Sequence, residues 1–194
     1  GVDIINEDEI MANPSGLPIK ERIGLVEDVL KGSNVVYCYC INADPLHVLD
    51  RAKMVADRGG NGVHINFWSG HGVYKSINKL DLPIYIHYQK SGDKVLSSTK
   101  NAYRIAWPVL CKLASLSGVD TIHTGMWGGY LSDDENELRR TMLMLSSNNT
   151  VPALSCGMTA ELIPEVTRRF GVDYLANVGG AIPVSYTHLT LPTI

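Results

Sequence analysis

The 194-residue sequence predicts an α/β fold, an incomplete (β/α)8 TIM barrel, on three observations. Short apolar runs alternate with longer segments of helical period along the chain. The apolar runs are continuous, which indicates parallel strands that are buried on both faces and joined by helices. Polar residues gather where almost every run ends, as active-site residues do in barrels. Because such a barrel usually takes about 250 residues, we expect one strand and one helix to be missing.

The predicted strands and helices alternate along the chain. We expect strands at residues 2–6, 35–41, 62–67, 82–88, 120–125, 151–155 and 173–178, and helices near 17–31, 45–58, 72–80, 98–116, 134–147 and 159–170. Asp44 before Pro45, and Thr159 further on, indicate helix starts because short polar side chains accept hydrogen bonds from free amide groups there. The Gly59–Gly60 pair indicates a helix end, where glycine readily adopts a left-handed backbone.

Two folds fit this alternation of strands and helices. An open doubly wound sheet often carries a G-x-G-x-x-G loop after an early strand, and the sequence has none. Polar residues instead follow almost every predicted strand, which is typical of a barrel whose active site draws on many strand ends. The sequence therefore favours the barrel.

The last twelve residues differ in character from the rest of the chain. PVSYTHLTLPTI follows NVGGAI abruptly, and its VSYTHL portion resembles a translated transposon end used in sequencing libraries. We therefore expect a partial barrel domain over residues 1–182 and a non-native tail over residues 183–194. A native irregular tail is the alternative.

Composition excludes several classes of protein. With 17 Lys+Arg against 20 Asp+Glu, the net charge of −3 offers no basic surface for nucleic acid. A hydrophobic share of 45% with 19% charged residues predicts a sizeable core and excludes wholesale disorder. No apolar stretch reaches the roughly 18 residues of a membrane-spanning helix. The 4 cysteines form no C-x-x-C pair, so we expect free thiols and a cytoplasmic protein.

The first candidate site lies in INEDE, at the end of the first predicted strand. Asn6 and Asp8 stand two residues apart and face the same side of a strand, and Glu9 joins them if the chain turns there. Hard oxygen ligands of this kind suit Mg²⁺, which binds through one or two carboxylates and keeps several waters. The pattern predicts a Mg²⁺ site at Asp8 and Glu9, with Asn6 as a neutral ligand or neighbour. A solvent-exposed acidic turn is the alternative.

Two histidines lie near the ends of different strands, His87 in IYIHYQKSG and His123 in DTIHTGMWGGY. A neutral imidazole there can move a proton or donate a hydrogen bond to a substrate oxygen, so both are predicted catalytic residues. A hydrogen-bonded structural histidine is the alternative for each. His64 is less promising because it lies within a predicted strand.

Glycine turns follow the sixth and seventh predicted strands. Ser155 and Gly157 stand in ALSCGMTAE, ahead of a helix predicted from Thr159, and Gly179 and Gly180 stand in ANVGGAI. Backbone amide groups at such turns and at a helix N-terminus attract phosphate, and barrels often bind phosphate after their last two strands. These four residues are predicted to bind a substrate phosphate, and ordinary turns are the alternative.

Taken together, these segments resemble one family. In order and spacing, GVDIINEDE, YIHYQ, GVDTIHTGMWGGY, SCG and VGGA are similar to motifs of the C-terminal barrel domain of the ribulose bisphosphate carboxylase (RuBisCO) large subunit, and most similar to the RuBisCO-like proteins. The resemblance runs from Gly1 to about Ile182. It implies that the chain holds the second to eighth strands of that barrel.

Three departures from the family pattern bear on activity. The lysine that the carboxylases carbamylate is Asn6, and an amide cannot be carbamylated. The arginine that holds a phosphate after the fifth-strand histidine is Tyr88, and the sixth-loop lysine that stabilises the carboxylation transition state is Tyr130. Because each missing charge serves that chemistry, the resemblance implies an enzyme that is not a CO2-fixing carboxylase.

The retained residues imply a related chemistry. By resemblance, Asp8 and Glu9 hold Mg²⁺, and the glycine turns hold a phosphate. His87 and His123 handle protons. The implied substrate is a phosphorylated ketose or sugar acid that passes through a Mg²⁺-stabilised enediolate, in a decarboxylase, enolase or isomerase. The loss of lysine at Asn6 favours a sugar-acid decarboxylase, since a less charged metal site suffices as an electron sink.

A catalytically inactive barrel with a binding or regulatory role is the alternative function. Retention of both carboxylates and both histidines favours the enzyme. The family resemblance also implies a homodimer, in which a further N-terminal domain and a first barrel strand complete the active site. We therefore expect the whole protein to be active and the 194-residue chain alone to be inactive. With tyrosines in place of two cations, we expect a substrate that carries one phosphate.

Overall fold

The structure is a computed structural model that describes residues 2–181, so the tail predicted at 183–194 lies outside the described residues. Within residues 2–181, seven strands form one sheet in the order β1-β2-β3-β4-β5-β6-β7. They are β1 (Ile4–Asn6), β2 (Val36–Cys40), β3 (Gly62–Asn66), β4 (Tyr85–Gln89), β5 (Thr121–Gly125), β6 (Val151–Leu154) and β7 (Leu175–Ala176). The pairs β1–β2, β2–β3, β3–β4, β4–β5 and β6–β7 are parallel. This sequential order confirms the predicted fold class and excludes a doubly wound sheet, whose strand order reverses.

Helices follow each of the first six strands. They are α1 (Ile19–Leu30), α2 (Pro45–Asp57), α3 (His71–Asn78), α4 (Lys94–Ser97), α5 (Trp107–Leu116), α6 (Glu135–Ser146) and α7 (Ile163–Phe170). The predicted cap of α2 is confirmed, because Asp44 Oδ1 accepts a hydrogen bond from the Leu46 amide at 3.1 Å. Among residues 2–181, no helix combines the length and the apolar character that crossing a bilayer requires.

Two helices begin later than the sequence predicted, and proline is the reason in both. The helix expected over 98–116 starts only at Trp107, as α5, and the short α4 lies before the predicted range. The helix expected from Thr159 starts at Ile163. Pro108 and Pro164 lack an amide hydrogen, so each fits the first turn of a helix but breaks a helix interior. The predicted start at Thr159 was therefore wrong.

The internal contacts divide the chain into two compact units. Within the described residues, the first comprises residues 2–93 and 113–122, and the second comprises residues 94–112 and 123–181. Strands β2 and β3 supply the core of the first unit, where Tyr39, Ile41, Val63 and Ile65 are fully buried. In the second unit, a cluster is formed by Met126, Leu138, Met142, Leu154, Met158 and Val166. As predicted, the cysteines are free thiols.

Candidate functional site

The chain turns directly after β1, where the predicted metal ligands lie. Asp8 is exposed and caps the 3-10 turn Glu9–Met11, with Oδ1 accepting a backbone amide hydrogen bond at 3.0 Å. Glu9 is half-buried, and its Oε1 accepts hydrogen bonds from the Gln89 side-chain amide and the Ser91 hydroxyl. The turn thus brings Glu9 to the end of β4.

Asn6, the third predicted ligand, ends β1 with a buried amide oxygen. Within the described part of the chain, its Oδ1 accepts no hydrogen bond. A buried acceptor without a donor is suited to a cation or to a donor on a ligand. Residues 2–181 contain no group of three His, Cys, Asp or Glu side chains arranged around a metal. Two carboxylates and an amide oxygen still fit Mg²⁺, which takes one or two carboxylates and completes its shell with water and substrate.

Glu7 was not among the predicted site residues, and its side chain holds this loop in place. The side chain is buried, and its Oε1 accepts hydrogen bonds from Arg22 Nε at 2.6 Å and from the Tyr37 hydroxyl at 3.2 Å. Its Oε2 accepts from the Cys40 amide at 2.7 Å. Burial, followed by the Glu7 charge, raises the pKa of Tyr37. A run of acidic residues suggests solvent exposure. Glu7 is buried instead because its partner Arg22 lies on the buried side of α1, which the sequence alone does not reveal.

The predicted catalytic residue His87 lies beside His64, in direct register on β3 and β4. Their rings meet edge to face, with centroids 5.6 Å apart. His87 is fully buried, and its Nδ1 lies 2.6 Å from the Thr121 hydroxyl of β5. His64 Nδ1 lies 3.0 Å from the Glu7 carbonyl oxygen. His64, which the sequence made less promising because it lies within a predicted strand, therefore lies next to His87 on the same face of the sheet.

Further polar side chains lie at the ends of the same strands, two residues beyond His64 and His87, and form a layer of hydrogen bonds. The Asn66 amide donates to Asn42 Oδ1 at 2.7 Å, and the Asn66 side chain donates to Gln89 Oε1 at 2.9 Å. Gln89 in turn donates to Glu9. The ends of β1, β2, β3 and β4 are therefore linked by hydrogen bonds, as expected if polar strand ends form a site.

Tyr88, which occupies the place of a phosphate-binding arginine in the resemblance, faces away from this layer. Its ring is fully buried and packs against α3, with centroids 5.0 Å from Tyr74 and 5.8 Å from His71. Successive side chains of a strand point to opposite faces, so Tyr88 lies opposite to His87 and Gln89. In this chain, the residue at that position belongs to the packing between β4 and α3.

His123, the second predicted catalytic residue, lies in the second unit and is held at two points. Its Nε2 lies 2.9 Å from the side-chain amide nitrogen of Asn177, and its carbonyl oxygen accepts a hydrogen bond from Trp107 Nε1 at 2.9 Å. Since an amide NH2 group donates, Nε2 is the accepting nitrogen, so neutral His123 carries its proton on Nδ1. Asn177 was missed because 54 residues separate it from His123.

The predicted phosphate turn Ser155–Gly157 has a tightly packed, unusual backbone. Cys156 and Gly157 have φ angles of +78° and +108°. A Cβ on Gly157 would lie 2.6 Å from the Tyr130 amide nitrogen, and one on Gly129 would lie 2.3 Å from the Cys156 carbonyl oxygen. The loop after β5 therefore packs backbone to backbone on this turn. Tyr130 itself is exposed, and the neighbouring Cys156 thiol raises the pKa of its hydroxyl.

The other predicted phosphate residues, Gly179 and Gly180, are exposed after β7. Helix α7 starts at Ile163, six residues beyond Gly157, because Pro164 sets its first turn. Five residues therefore separate Gly157 from the first residue of α7, whereas the sequence predicted a helix start almost directly after this turn.

A sequential parallel β/α sheet with polar strand ends is typical of (β/α)8-barrel domains. A family model of the ribulose bisphosphate carboxylase large chain, catalytic domain, matches residues 1–189, and the chain belongs to this family.

Two curated relatives are enzymes. A 2,3-diketo-5-methylthiopentyl-1-phosphate enolase from Microcystis aeruginosa is 26% identical over 193 residues, covering 94% of this chain and 49% of the relative. A ribulose bisphosphate carboxylase from Pyrococcus furiosus is 28% identical over 200 residues, covering 94% and 46%. The chain thus spans about half the length of the curated relatives it matches.

Solved structures agree with the fold. Octameric RuBisCO from Pyrococcus horikoshii matches with a TM-score of 0.83 and 26% identity, over 94% of this chain and 47% of that one. A RuBisCO-like protein from Alicyclobacillus acidocaldarius matches with a TM-score of 0.82 and 22% identity, over 95% of this chain and 50% of that one, which bears on the fold alone.

Proposed function

We propose that the whole protein is a RuBisCO-like enzyme that enolises a phosphorylated ketose or sugar acid and does not fix CO2. The observation that carries this proposal is the set of hydrogen bonds that links the ends of β1 to β4. In it, Gln89, which lies two residues beyond His87 on β4, donates a hydrogen bond to Glu9. A carboxylate next to buried imidazoles provides both a site for a cation and a path for a proton. Decarboxylation, isomerisation or simple enolisation would follow from the same first step.

The chain supplies the proton-handling groups itself. In our proposal, His87 takes or returns the substrate proton, and its contact with the Thr121 hydroxyl fixes the ring. His123 is oriented by Asn177, and we propose that it too moves a substrate proton. Both imidazoles are buried, so water competes little for their hydrogen bonds with a substrate.

Mg²⁺ would be held by Asp8 and Glu9, with Asn6 Oδ1 as a neutral ligand, and would supply positive charge where the substrate oxygens become negative. The substitution of lysine by Asn6 removes one negative ligand relative to the carboxylases. We propose that this weaker site still supports enolisation but does not support addition of CO2.

A substrate with a single phosphate fits the remaining groups best. The Microcystis aeruginosa relative is named for a diketone that carries one phosphate. In this chain, Tyr88 packs against α3 and Tyr130 is exposed, so neither position offers a cation to a second phosphate. We propose that Ser155, Gly157, Gly179 and Gly180 bind that single phosphate.

We also propose that the whole protein is a homodimer, as the family resemblance implies. The solved Pyrococcus horikoshii relative is described as octameric, which supports self-association in this family. Light scattering of the whole protein would give a dimer mass, and a monomer mass would contradict this proposal.

Exchange of substrate protons with solvent tests the enolisation directly. With ribulose 5-phosphate in D2O and Mg²⁺, NMR should show loss of the proton next to the carbonyl group at a rate above that without enzyme. Substitution of His87 or His123 by Ala should slow this exchange at least tenfold, since a general acid or base contributes about 10²- to 10⁴-fold. His47→Ala, at an exposed histidine of α2, is the matched control and should exchange normally.

Two further measurements in the same assay define the alternatives. The affinity for Mg²⁺ should fall in Asp8→Ala, and equal affinity would reject the metal site. Ribulose 5-phosphate should bind more tightly than ribulose 1,5-bisphosphate, and the reverse order would reject the single-phosphate proposal. Binding without any solvent exchange would identify the inactive barrel with a binding role.

A further inference from the structure

The structure places His64 where no part of the proposed mechanism uses it. Its side chain is buried, with only 3% of the residue exposed. Its Nδ1 contacts the Glu7 carbonyl oxygen, between the predicted ligands Asn6 and Asp8. Its Nε2 is buried and has no hydrogen-bond partner within residues 2–181. A buried polar atom without a partner is rare in folded proteins and calls for an explanation.

The contact with Glu7 fixes the tautomer of His64. A carbonyl oxygen can only accept a hydrogen bond, so Nδ1 must carry the proton. Burial lowers the pKa of His64, against the opposing effect of the Glu9 and Asp8 charges, and favours the neutral ring. In the neutral ring with a protonated Nδ1, Nε2 presents a lone pair and is an acceptor. It therefore requires a donor.

The direction of the ring is fixed by its neighbours. His64 stands in register with Cys40 on one side and with His87 on the other, so the three side chains share one face of the sheet. Asn6, whose Oδ1 is also a buried acceptor without a partner, lies on the same face, one step nearer the start of the strands. Because Asn6 Oδ1 is assigned to Mg²⁺ in the proposed function, His64 Nε2 is the buried acceptor that is left for a donor of the substrate.

We infer that His64 contacts the substrate, with Nε2 accepting a hydrogen bond from a hydroxyl group of the phosphorylated ketose or sugar acid. The inference rests on the proposed function and adds a specificity residue to it. A hydroxyl group is the matching donor because these substrates carry several, whereas phosphate and carboxylate groups mainly accept at neutral pH. A substrate without that hydroxyl would leave the buried acceptor unsatisfied.

Two substitutions distinguish a contact between His64 and the substrate from a role of His64 in supporting the loop that contains Glu7. In His64→Asn, the amide NH2 reaches the Glu7 carbonyl as Nδ1 does, but nothing replaces Nε2. In His64→Gln, a longer side chain places an acceptor near the position of Nε2. We expect His64→Asn to weaken the binding of ribulose 5-phosphate to the whole protein about tenfold, and His64→Gln to recover part of the loss. Titration calorimetry gives both affinities, with His47→Asn as the control at an exposed histidine.

The outcomes distinguish the inference from the proposed function. If the parent protein binds ribulose 5-phosphate and His64→Asn binds it equally well, water is the partner of Nε2 and the inference is overturned while the function stands. If His64→Asn keeps its affinity and His64→Gln loses it, His64 only supports Glu7, which also overturns the inference. If the parent protein binds neither ribulose 5-phosphate nor ribulose 1,5-bisphosphate, the proposed function fails and the inference fails with it.

Nitrogen-15 NMR of the histidine rings tests the inference on the parent protein, so this test does not depend on whether a variant folds. In the parent protein, the Nε2 resonance of His64 should have the shift of an unprotonated nitrogen. Saturating ribulose 5-phosphate should move it in the direction of a hydrogen-bonded acceptor, while inorganic phosphate alone should not. An unchanged Nε2 shift with bound sugar phosphate would overturn the inference.

Discussion

At the scale of single residues, Glu7 shows how a loop that carries candidate ligands is held. Its carboxylate joins α1 through Arg22 and β2 through the Cys40 amide, and all three groups are buried. The Arg22 side chain also donates to the Leu17 carbonyl at 3.1 Å and to the Cys40 carbonyl at 3.4 Å, so each of its three nitrogens makes a hydrogen bond. Such a pair fixes the loop because losing one partner leaves the other charge buried and alone.

We expect Glu7→Gln to destabilise the protein by about 3 kcal/mol, because Arg22 keeps its charge without a counter-ion. Chemical denaturation, followed by circular dichroism, gives the free energy of unfolding. Asp28→Asn, on the exposed side of α1, is the matched control and should stay within about 0.5 kcal/mol of the parent. A loss in Glu7→Gln no larger than in the control would show that the pair does not stabilise the loop.

Gly129 gives a second prediction at this scale, since a Cβ there would lie 2.3 Å from the Cys156 carbonyl oxygen. Because the obstacle is backbone, it cannot rotate away, and we expect Gly129→Ala to destabilise the fold by about 1–3 kcal/mol. Gly24→Ala, in the interior of α1 with open space around it, should instead stabilise the protein by about 0.5–1 kcal/mol. Thermal unfolding compares the two, and a stabilising Gly129→Ala would contradict the close backbone contact.

At the scale of elements, charged residues join α6 to α7. Glu165 accepts hydrogen bonds from Arg168 at 2.8 Å and from Arg169 at 2.6 Å, and Arg169 also donates to Glu135 of α6 at 2.9 Å. The guanidinium group of Arg169 lies 4.0 Å from the centroid of the Trp127 ring. These contacts are largely exposed, so each contributes little, but together they order the last turn of α7.

The hydrogen bond from Arg168, with that from Arg169, lowers the pKa of Glu165 to about 2 from its usual 4.5. A carboxyl whose pKa is lower in the folded state contributes stability above pH 4.5 and loses it as the pH falls towards 2. We therefore expect Glu165→Gln to lower the melting temperature slightly at pH 7, with the difference from the parent vanishing near pH 2. Addition of 1 M NaCl should shrink the difference at pH 7. A difference that grows in acid would contradict this assignment.

At the scale of the whole molecule, the protection of backbone amide hydrogens from exchange with solvent should depend on the position of each strand in the sheet. Strands β2 and β3 have neighbours on both sides and largely buried residues, whereas β1 and β7 stand at the ends of the order and are half-buried. We expect amide hydrogen exchange to be slowest in β2 and β3 and faster in β1 and β7. Exchange measured by mass spectrometry checks this, and equal protection of β7 and β3 would contradict it.

The sequence by itself determined the alternation of strands and helices, the parallel order and the polar strand ends. The local period of apolar residues indicates burial, and strands that are buried on both faces are typical of parallel sheets covered by helices. The motifs that resemble the RuBisCO family also follow one another in a fixed order along the sequence. They can therefore be recognised without knowing which residues are in contact. Even the helix starts at Trp107 and Ile163 follow from local backbone chemistry, because Pro108 and Pro164 fit the first turn of a helix and not its interior.

Only the tertiary structure decided which polar residues of each segment share a face. Glu7 and Asp8 are adjacent, yet Glu7 is buried against Arg22 and Asp8 is exposed. His64 meets Glu7 across 57 residues, and Asn177 meets His123 across 54. No local pattern carries such pairs, because their energy arises only when register and the turns after the strands bring distant backbone segments together.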